Sequence, residues 1–303
     1  MKKPENKIKI SNFLIVVIAA SFLMGCSVSS KRESENDWPT QVIDAHIHTS
    51  FGGQADKFSG VVRSKESLIA EMKANNVVGA VSLTHRYEDG YSDLKDLNVV
   101  HCAGVSEKPD IKKLEAGIKS GKFNCIKIYL GYVYQYAADK NYDPAYKLAE
   151  KYGVPVVLHT GDTLTADGLL KYSHPLGIDE VAVKYRKVNF VLAHLGNPWV
   201  QTAAEVAYKN PNVYVDVSAL LIGKFSEIDP KDIEEYVVKP IRWAFGYMED
   251  PSKMLYGSDW ALVSMRDYIG AVKKAIPREN WNDVFYNNAQ AVFKIKTLPE
   301  KVK

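Results

Sequence analysis

The 303-residue sequence lacks three features that would each define a class of protein. Its longest apolar run, residues 13–24, is about half of the ~20 residues that a membrane-spanning helix needs. Its three cysteines are too few for a disulfide framework. It also has no general surplus of Lys and Arg, which a nucleic-acid-binding protein needs to displace counterions from phosphates.

The formal net charge of +3 is confined to the N-terminus. It comes from Lys2, Lys3, Lys7 and Lys9, which are opposed only by Glu5, and basic and acidic side chains balance in the rest of the chain. A basic start followed by a short apolar run is typical of an export signal. We therefore expect a soluble-type domain carried out of the cytoplasm, with no nucleic-acid partner.

The end of the apolar run, Leu23-Met24-Gly25-Cys26, resembles a bacterial lipobox. The resemblance implies that residues 1–25 are a lipoprotein signal peptide and that Cys26 is lipidated, becoming the new N-terminus; the alternative is an ordinary signal with an incidental cysteine. Residues 26–40 are polar and predict a flexible tether. Ser27, rather than Asp, follows the cysteine, which in a Gram-negative cell is similar to lipoproteins at the periplasmic face of the outer membrane.

Cys102 and Cys125 both lie in apolar, strand-like runs. A bridge between them is compatible with an oxidising compartment, but free cysteine is also a common small buried hydrophobe. We expect two unlinked, buried thiols.

Short β-branched runs alternate with amphipathic stretches from Gln41 to the C-terminus. Eight runs predict strands, at residues 41–48, 77–84, 97–106, 124–130, 154–160, 189–196, 213–220 and 254–260. Helices are predicted between them, for example at 64–76, 108–120, 143–153 and 199–210, and a last one at 279–295. This alternation favours a single-domain α/β fold over residues 41–303, the (β/α)8 TIM barrel. A doubly wound open sheet is the alternative, although no glycine-rich phosphate fingerprint follows the first strand.

Polar side chains are concentrated at the carboxyl ends of the predicted strands, where barrels of this type carry their active sites. The period of two places Val42, Asp44, His46 and His48 on one face of the first strand. His159 and His194 end the fifth and sixth strands, and Asp259 ends the eighth. Burying these groups without a partner would cost several kcal/mol. The pattern therefore predicts a shared metal ion.

Four motifs resemble the amidohydrolase superfamily, specifically the amidohydrolase 2 branch that includes aminocarboxymuconate semialdehyde decarboxylase. They stand in family order: Asp44-Ala45-His46-Ile47-His48, Val157-Leu158-His159-Thr160-Gly161-Asp162, Ala193-His194-Leu195-Gly196 and Tyr256-Gly257-Ser258-Asp259-Trp260. The resemblance implies that one divalent ion, most often zinc, is bound by His46, His48, His159 and Asp259. It also implies that His194 orients the attacking water or protonates the product.

This ligand set predicts hydrolysis by an activated water. Zn²⁺ lowers the pKa of a coordinated water from about 15.7 towards 7, and Asp259 can accept the proton as the water attacks. His194 can stabilise charge on the substrate carbonyl. The expected substrate is a small ester, lactone or amide that carries a carboxylate. The alternatives are a non-oxidative decarboxylase and a non-catalytic surface lipoprotein that binds a metal or ligand.

Lys127 leaves the number of metal ions open. Strand alternation points it into the barrel with Cys125 and Tyr129. In other amidohydrolase branches a lysine on strand four is carbamylated and bridges a second metal. We favour a lysine that pairs with an acid or with a substrate carboxylate.

Three aromatic residues are predicted to line the substrate site. Tyr132 and Tyr134 follow the fourth strand, and Trp199 follows His194. Loops at this end of a barrel usually determine specificity.

The lipid anchor can be tested with Cys26→Ser. Without an acceptor thiol the precursor should keep its signal peptide and incorporate no labelled palmitate, as measured by mass spectrometry and metabolic labelling. Correctly matured, membrane-free protein from this variant would contradict lipidation.

Overall fold

Eight parallel strands pair in chain order in the computed structural model, which describes residues 37–83 and 92–296. A backbone bridge between Ile47 and Trp260 joins the last strand to the first, so the barrel is nearly closed. The strands are β1 (Val42–Ile47), β2 (Val77–Leu83), β3 (Val99–Val105), β4 (Cys125–Ile128), β5 (Val156–Leu158), β6 (Phe190–Leu192), β7 (Val213–Asp216) and β8 (Met254–Leu255). The predicted TIM barrel is confirmed; Cys26 and the signal peptide lie outside the described residues.

Helices connect the strands around the outside, as the amphipathic stretches predicted. They are α1 (Lys65–Ala74), α2 (Ile111–Lys119), α3 (Leu130–Val133), α4 (Asp143–Tyr152), α5 (Leu170–Ser173), α6 (Gly177–Lys184), α7 (Val200–Lys209), α8 (Pro230–Ile233), α9 (Lys239–Met248), α10 (Met265–Val272) and α11 (Asn288–Phe293). Ser64 caps α1 by accepting from the Ser67 amide, and Gly153 ends α4 at φ 60°, a left-handed conformation that glycine adopts without strain. In the described part of the chain, every helix is too short or too polar to cross a bilayer.

The barrel interior is apolar below the strand ends. Alternate residues of the strands pack there with the C-terminal helix, including Ile43, Ala45, Val81, Leu83, Cys102, Cys125, Val157, Val191, Ala193, Leu255, Val292 and Phe293. The residues between them pack against the surrounding helices instead. Since both layers are buried, the strands read as largely hydrophobic runs, interrupted by a few buried polar side chains such as Asp44, His101 and Lys127.

The predicted alternation of inward and outward side chains in β1 is wrong for the residues that precede His46. Ile43 and Ala45 face the barrel interior, whereas Val42 and Ile47 pack on the helix side. The cause is an irregularity in the pairing of β1 with β2 between Asp44 and Ile47. A bulge of this kind shifts the side-chain phase by one residue, so apolar residues fill the core while His46 still faces the site.

Cys102 and Cys125 form a disulfide, which corrects the expectation of two free thiols. They are directly paired residues on neighbouring strands β3 and β4, with Cα atoms 4.2 Å apart. Sequence reasoning treated each cysteine separately because the register of the two strands was unknown. The bond lies inside the barrel, where both residues are fully buried.

Removing the disulfide should destabilise the barrel. A cross-link between residues 23 apart in sequence restricts the unfolded chain by about 3 kcal/mol. We expect Cys102→Ala/Cys125→Ala to lose roughly that much unfolding free energy in urea. Wild-type protein refolded under reductant is the matched control, because it keeps both sulfur atoms but no bond. Equal stability of the oxidised and reduced wild type would contradict the assignment.

Candidate metal centre and active site

A cavity of about 800 Å³ opens at the carboxyl ends of the strands. Its floor contains the histidines and the acid that the sequence singled out: His46, His48, His159, His194 and Asp259. They come from β1 and the residue that follows it, from the residues just after β5 and β6, and from the segment after β8. The barrel therefore brings these five residues into one cavity.

Three of these side chains form a tight group. His48 Nε2 lies 3.1 Å and His46 Nε2 lies 3.7 Å from Asp259 Oδ1. Ligand atoms around a tetrahedral zinc ion, each about 2.0–2.1 Å from it, are separated by roughly 3.3 Å. The spacing therefore fits a single divalent ion.

Hydrogen bonds on the far side of each ring support this fit. His46 Nδ1 donates to Asp216 Oδ2 at 3.0 Å, and His48 Nδ1 donates to the Leu83 carbonyl at 2.8 Å. Both Nε2 atoms then carry a lone pair towards Asp259 Oδ1, which is buried and accepts no hydrogen bond within the described chain. Three acceptors that face each other with no proton between them are satisfied by a cation.

His159 occupies the same floor but stands outside this group of three. Its Nε2 donates to the Asp162 carbonyl at 2.8 Å, and its Nδ1 lies 3.2 Å from His194 Nε2. Donation from Nε2 leaves Nδ1 as the nitrogen that can bind a metal. Its role as a fourth ligand stays a prediction.

Two residues of the site were missed by the sequence reasoning: Asp216, at the end of β7, and Ser218. Asp216 Oδ2 accepts from His46, and Oδ1 accepts from the Ser218 hydroxyl and from the His194 amide. A second group of potential ligands, His46, His194 and Asp216, results from these contacts. The sequence did contain a signal for Asp216. It is an acid at the carboxyl end of an otherwise apolar strand, which is the end at which other strands carry histidine.

His194 is held in an unusual backbone conformation. Its φ of 61° lies in the left-handed region, as does that of Asp259 at 64°. Non-glycine residues there cost of order 1–3 kcal/mol and cluster at functional sites. Two contacts hold this strained residue: the His194 amide donates to Asp216 Oδ1, and the Ser218 hydroxyl lies 3.0 Å from His194 Nδ1.

Burial controls the protonation of the site. Desolvation lowers the pKa of His194 to about 4 and lowers the pKa values of His46 and His159, although the Asp216 carboxylate opposes this at His46 and His194. Desolvation alone would raise the pKa of Asp259, but His46 and His48 hold it well below its usual range. At neutral pH His46, His159 and His194 are therefore neutral and Asp259 is ionised, which are the forms that bind metal.

Lys127 lies beneath this site, outside the cavity lining. Its Nζ is fully buried, makes no hydrogen bond within the described residues and stands 5.0 Å from the centre of the Tyr129 ring. Desolvation lowers its pKa to about 8, although Asp216 and Asp259 favour the charged form. The two acids stabilise the ammonium through space, without a direct ion pair.

Asp44 joins the two strands that carry the tight group. Its carboxylate accepts from the Ser258 amide at 2.9 Å, from the Ser258 hydroxyl at 2.6 Å and from the His46 amide at 3.1 Å. Burial nevertheless raises the pKa of Asp44 to about 7. These bonds set the position of His46 relative to Asp259.

The structure places two of the three predicted aromatic residues in the cavity wall. Tyr132 and Tyr134 line it. Trp199 lies outside the wall and packs on His174, with ring centres 4.8 Å apart. Arg63, which the sequence reasoning did not single out, also lines the cavity and pairs with Asp56 at 3.0 Å.

Comparison with known proteins identifies one family. The model of a family described as amidohydrolase matches residues 100–295, about two thirds of the chain. A search of curated proteins gave no match. The family assignment therefore rests on the family model.

Solved structures share the fold at low sequence identity. An amidohydrolase from Burkholderia multivorans, with bound HEPES, has a TM-score of 0.64 and 15% identity over 84% of this chain and 100% of its own. A probable 2-pyrone-4,6-dicarboxylic acid hydrolase from Acinetobacter baumannii, with bound citric acid, has a TM-score of 0.60 and 15% identity over 84% and 99%. A 5-carboxyvanillate decarboxylase from Novosphingobium aromaticivorans, with bound manganese and a nitrobenzoic acid, has a TM-score of 0.57 and 13% identity over 86% and 98%.

The buried histidines predict a specific dependence of stability on pH. On unfolding their pKa values return to about 6.5, so the unfolded chain binds more protons below that pH. The contribution to stability is complete above about pH 6.5 and is lost as the pH falls towards 4. We expect the Tm of the metal-free protein to fall over this range.

His194→Gln should reduce the slope of Tm against pH. His174→Gln is the matched control, because this histidine lies outside the site and against Trp199. An unchanged slope in His194→Gln would show that His194 is not held neutral by burial.

Proposed function

The chain belongs to the amidohydrolase family, and on this premise we propose that it is a metal-dependent hydrolase that cleaves an ester, lactone or amide bond of a carboxylate-bearing compound. The observation that carries the proposal is the buried Asp259 Oδ1, which accepts no hydrogen bond from residues 37–83 or 92–296 and faces His46 Nε2 and His48 Nε2 at the floor of a cavity. His194 lines the same cavity in addition to this group, which favours catalysis over simple metal binding.

We propose Zn²⁺ as the ion, held by His46, His48, His159 and Asp259. Three neutral imidazoles and one carboxylate are typical zinc ligands and leave the site with a positive charge of about one. When bound, the ion acidifies water and polarises a substrate carbonyl. Asp216 and the Leu83 carbonyl orient the two imidazoles of β1 by binding their Nδ1 protons.

Asp259 and His194 are proposed to move the protons. The carboxylate of Asp259 is ionised at neutral pH and lines the cavity, so it can accept a proton from the attacking water. His194 is neutral, and its Nδ1 lies 3.2 Å from the Ser218 carbonyl, which can only accept, so the ring proton is on Nδ1 and Nε2 can accept a hydrogen bond from the attacking water and orient it. Ser218 and Asp216 keep the ring in this orientation.

Arg63 supports a substrate with a carboxylate. Its guanidinium lines the cavity and is partly exposed, and the Asp56 carboxylate that it contacts is itself fixed by the amides of Phe58 and Ser59. A fixed guanidinium can bind a carboxylate through two parallel hydrogen bonds.

Decarboxylation is the second candidate. It is favoured by the likeness to 5-carboxyvanillate decarboxylase and by a site in which Asp259 and His194 can pass a proton to a substrate carbon as readily as they take one from water. Release of carbon dioxide during turnover separates this reaction from ring or amide opening.

We further propose that the enzyme acts outside the cytoplasm, anchored to a membrane through lipidated Cys26. The buried disulfide between Cys102 and Cys125 supports export, because disulfides form and persist in oxidising compartments. The balanced charge of the rest of the chain agrees with a small-molecule substrate and no nucleic acid.

The proposal predicts about one equivalent of metal per chain and a loss of turnover in Asp259→Asn. Removing the proton acceptor should reduce kcat by roughly 10²–10⁴-fold while the fold is retained, measured on a panel of lactones, amides and carboxylated aromatics. Asp167→Asn, an exposed acid in a neighbouring loop, is the matched control. Full activity of Asp259→Asn would contradict the proposal, and two equivalents of metal would favour a second ion bridged by carbamylated Lys127.

A further inference from the structure

The cavity above the metal centre has one predominantly apolar wall. After β7 the chain lines it with four consecutive apolar residues, Ala219 to Ile222, and Leu262 continues this surface from the segment after β8. Val133 and Leu164 face the cavity from the loops after β4 and β5. These side chains contribute to neither the metal group nor the proton transfers proposed above.

Polar side chains line the rest of the cavity, including Asp162 and Thr165 after β5 and Asn197 after β6. Ser50 and Arg63 follow β1, and Ser106 and Glu107 follow β3. Arg63 is the one Lys or Arg that lines the cavity among the described residues. The cavity therefore has a cationic group that can bind an anion, Arg63, and a separate continuous apolar surface, residues 219–222 with Leu262.

From this division we propose that the substrate is amphiphilic: a short polar, carboxylate-bearing end at the histidines and an extended apolar body along residues 219–222, Leu262 and Leu164. The cavity volume supports a body larger than one ring. At about 30 Å³ per water-sized group, 800 Å³ would hold on the order of 25 such groups. The inference rests on the proposed function, since it names the substrate class of the same site.

The apolar wall is held rigidly. The Gly223 amide donates to the Leu262 carbonyl at 2.9 Å and the Leu220 amide lies 3.0 Å from the Tyr268 hydroxyl, so the segments after β7 and β8 are joined. Across the cavity the Leu164 amide lies 2.8 Å from the hydroxyl of Tyr132. A surface fixed in advance binds an apolar ligand without an ordering cost.

The apolar surface also continues to the cavity mouth. Leu164 is 54% exposed and Tyr134 is 45% exposed, although both line the cavity. The Tyr134 hydroxyl donates to the Asp167 carbonyl at 2.7 Å, which keeps its ring at the rim. An apolar body can therefore extend from the histidines to the surface while it remains in contact with protein.

The test measures how affinity depends on the length of an apolar tail. Linear monocarboxylates from butanoate to octanoate are titrated calorimetrically into the metal-loaded full chain in lipid nanodiscs, with empty nanodiscs as the blank. Each buried methylene is expected to lower Kd by about fourfold. Glutarate, a short dicarboxylate, is included as a control because its second carboxylate replaces the apolar end of the monocarboxylates.

Variants assign this dependence to the wall. Leu221→Asn should weaken octanoate more than butanoate, and so should Leu164→Asn, a change at an exposed position that leaves the core intact. Leu176→Asn is the matched control, because that leucine is 60% exposed and lies outside the cavity lining. It should leave the whole series unchanged.

A Kd that is the same from butanoate to octanoate, or tighter binding of glutarate than of octanoate, would overturn the inference. The same holds if both wall variants bind the series as the wild type does. These results are separable from the proposed function: a flat series in a protein that hydrolyses small lactones contradicts only the amphiphilic substrate. A steep series in a protein that turns over no substrate contradicts only the hydrolase.

Discussion

Pairing between buried carboxylates and imidazoles is the interaction on which the site depends. Asp216 and Asp259 lie in an interior that would otherwise disfavour any charge, and each is held by histidine contacts. These contacts cross from β1 to β7 and from the residue after β1 to the segment after β8, and the barrel closes between that segment and β1. Loss of one partner would leave an uncompensated charge in the core.

Much of the fold and of the candidate site could be predicted from sequence because apolar strand-like runs alternate regularly with amphipathic helical stretches. Strands with both faces buried read as apolar runs, and a polar residue at the end of such a run lies at the mouth of the barrel. This reasoning was sufficient to bring His46, His48, His194 and Asp259 into one cavity. The reasoning required only the order of the strands, and in this type of barrel the strands pair in chain order.

What sequence could not supply depends on register. The phase shift in β1 is a local irregularity that leaves no mark on residue types, so the orientation of Ile43 and Ala45 was misjudged. The disulfide required knowing that Cys102 and Cys125 are direct neighbours across two strands. Asp216 was overlooked because a single acid in an apolar strand carries no motif, and its meaning arises only from the ring of His46 beside it.

The position of the disulfide has a consequence for the resistance of the chain to proteases. The bond closes a covalent ring that contains all of α2 and the loops on either side of it, including several exposed residues that a protease could reach. A single cut within this ring would leave both pieces of the polypeptide attached, with β3 and β4 still paired in the barrel wall. A cut in this connection would thus leave the strand that carries Lys127 covalently attached to the rest of the barrel.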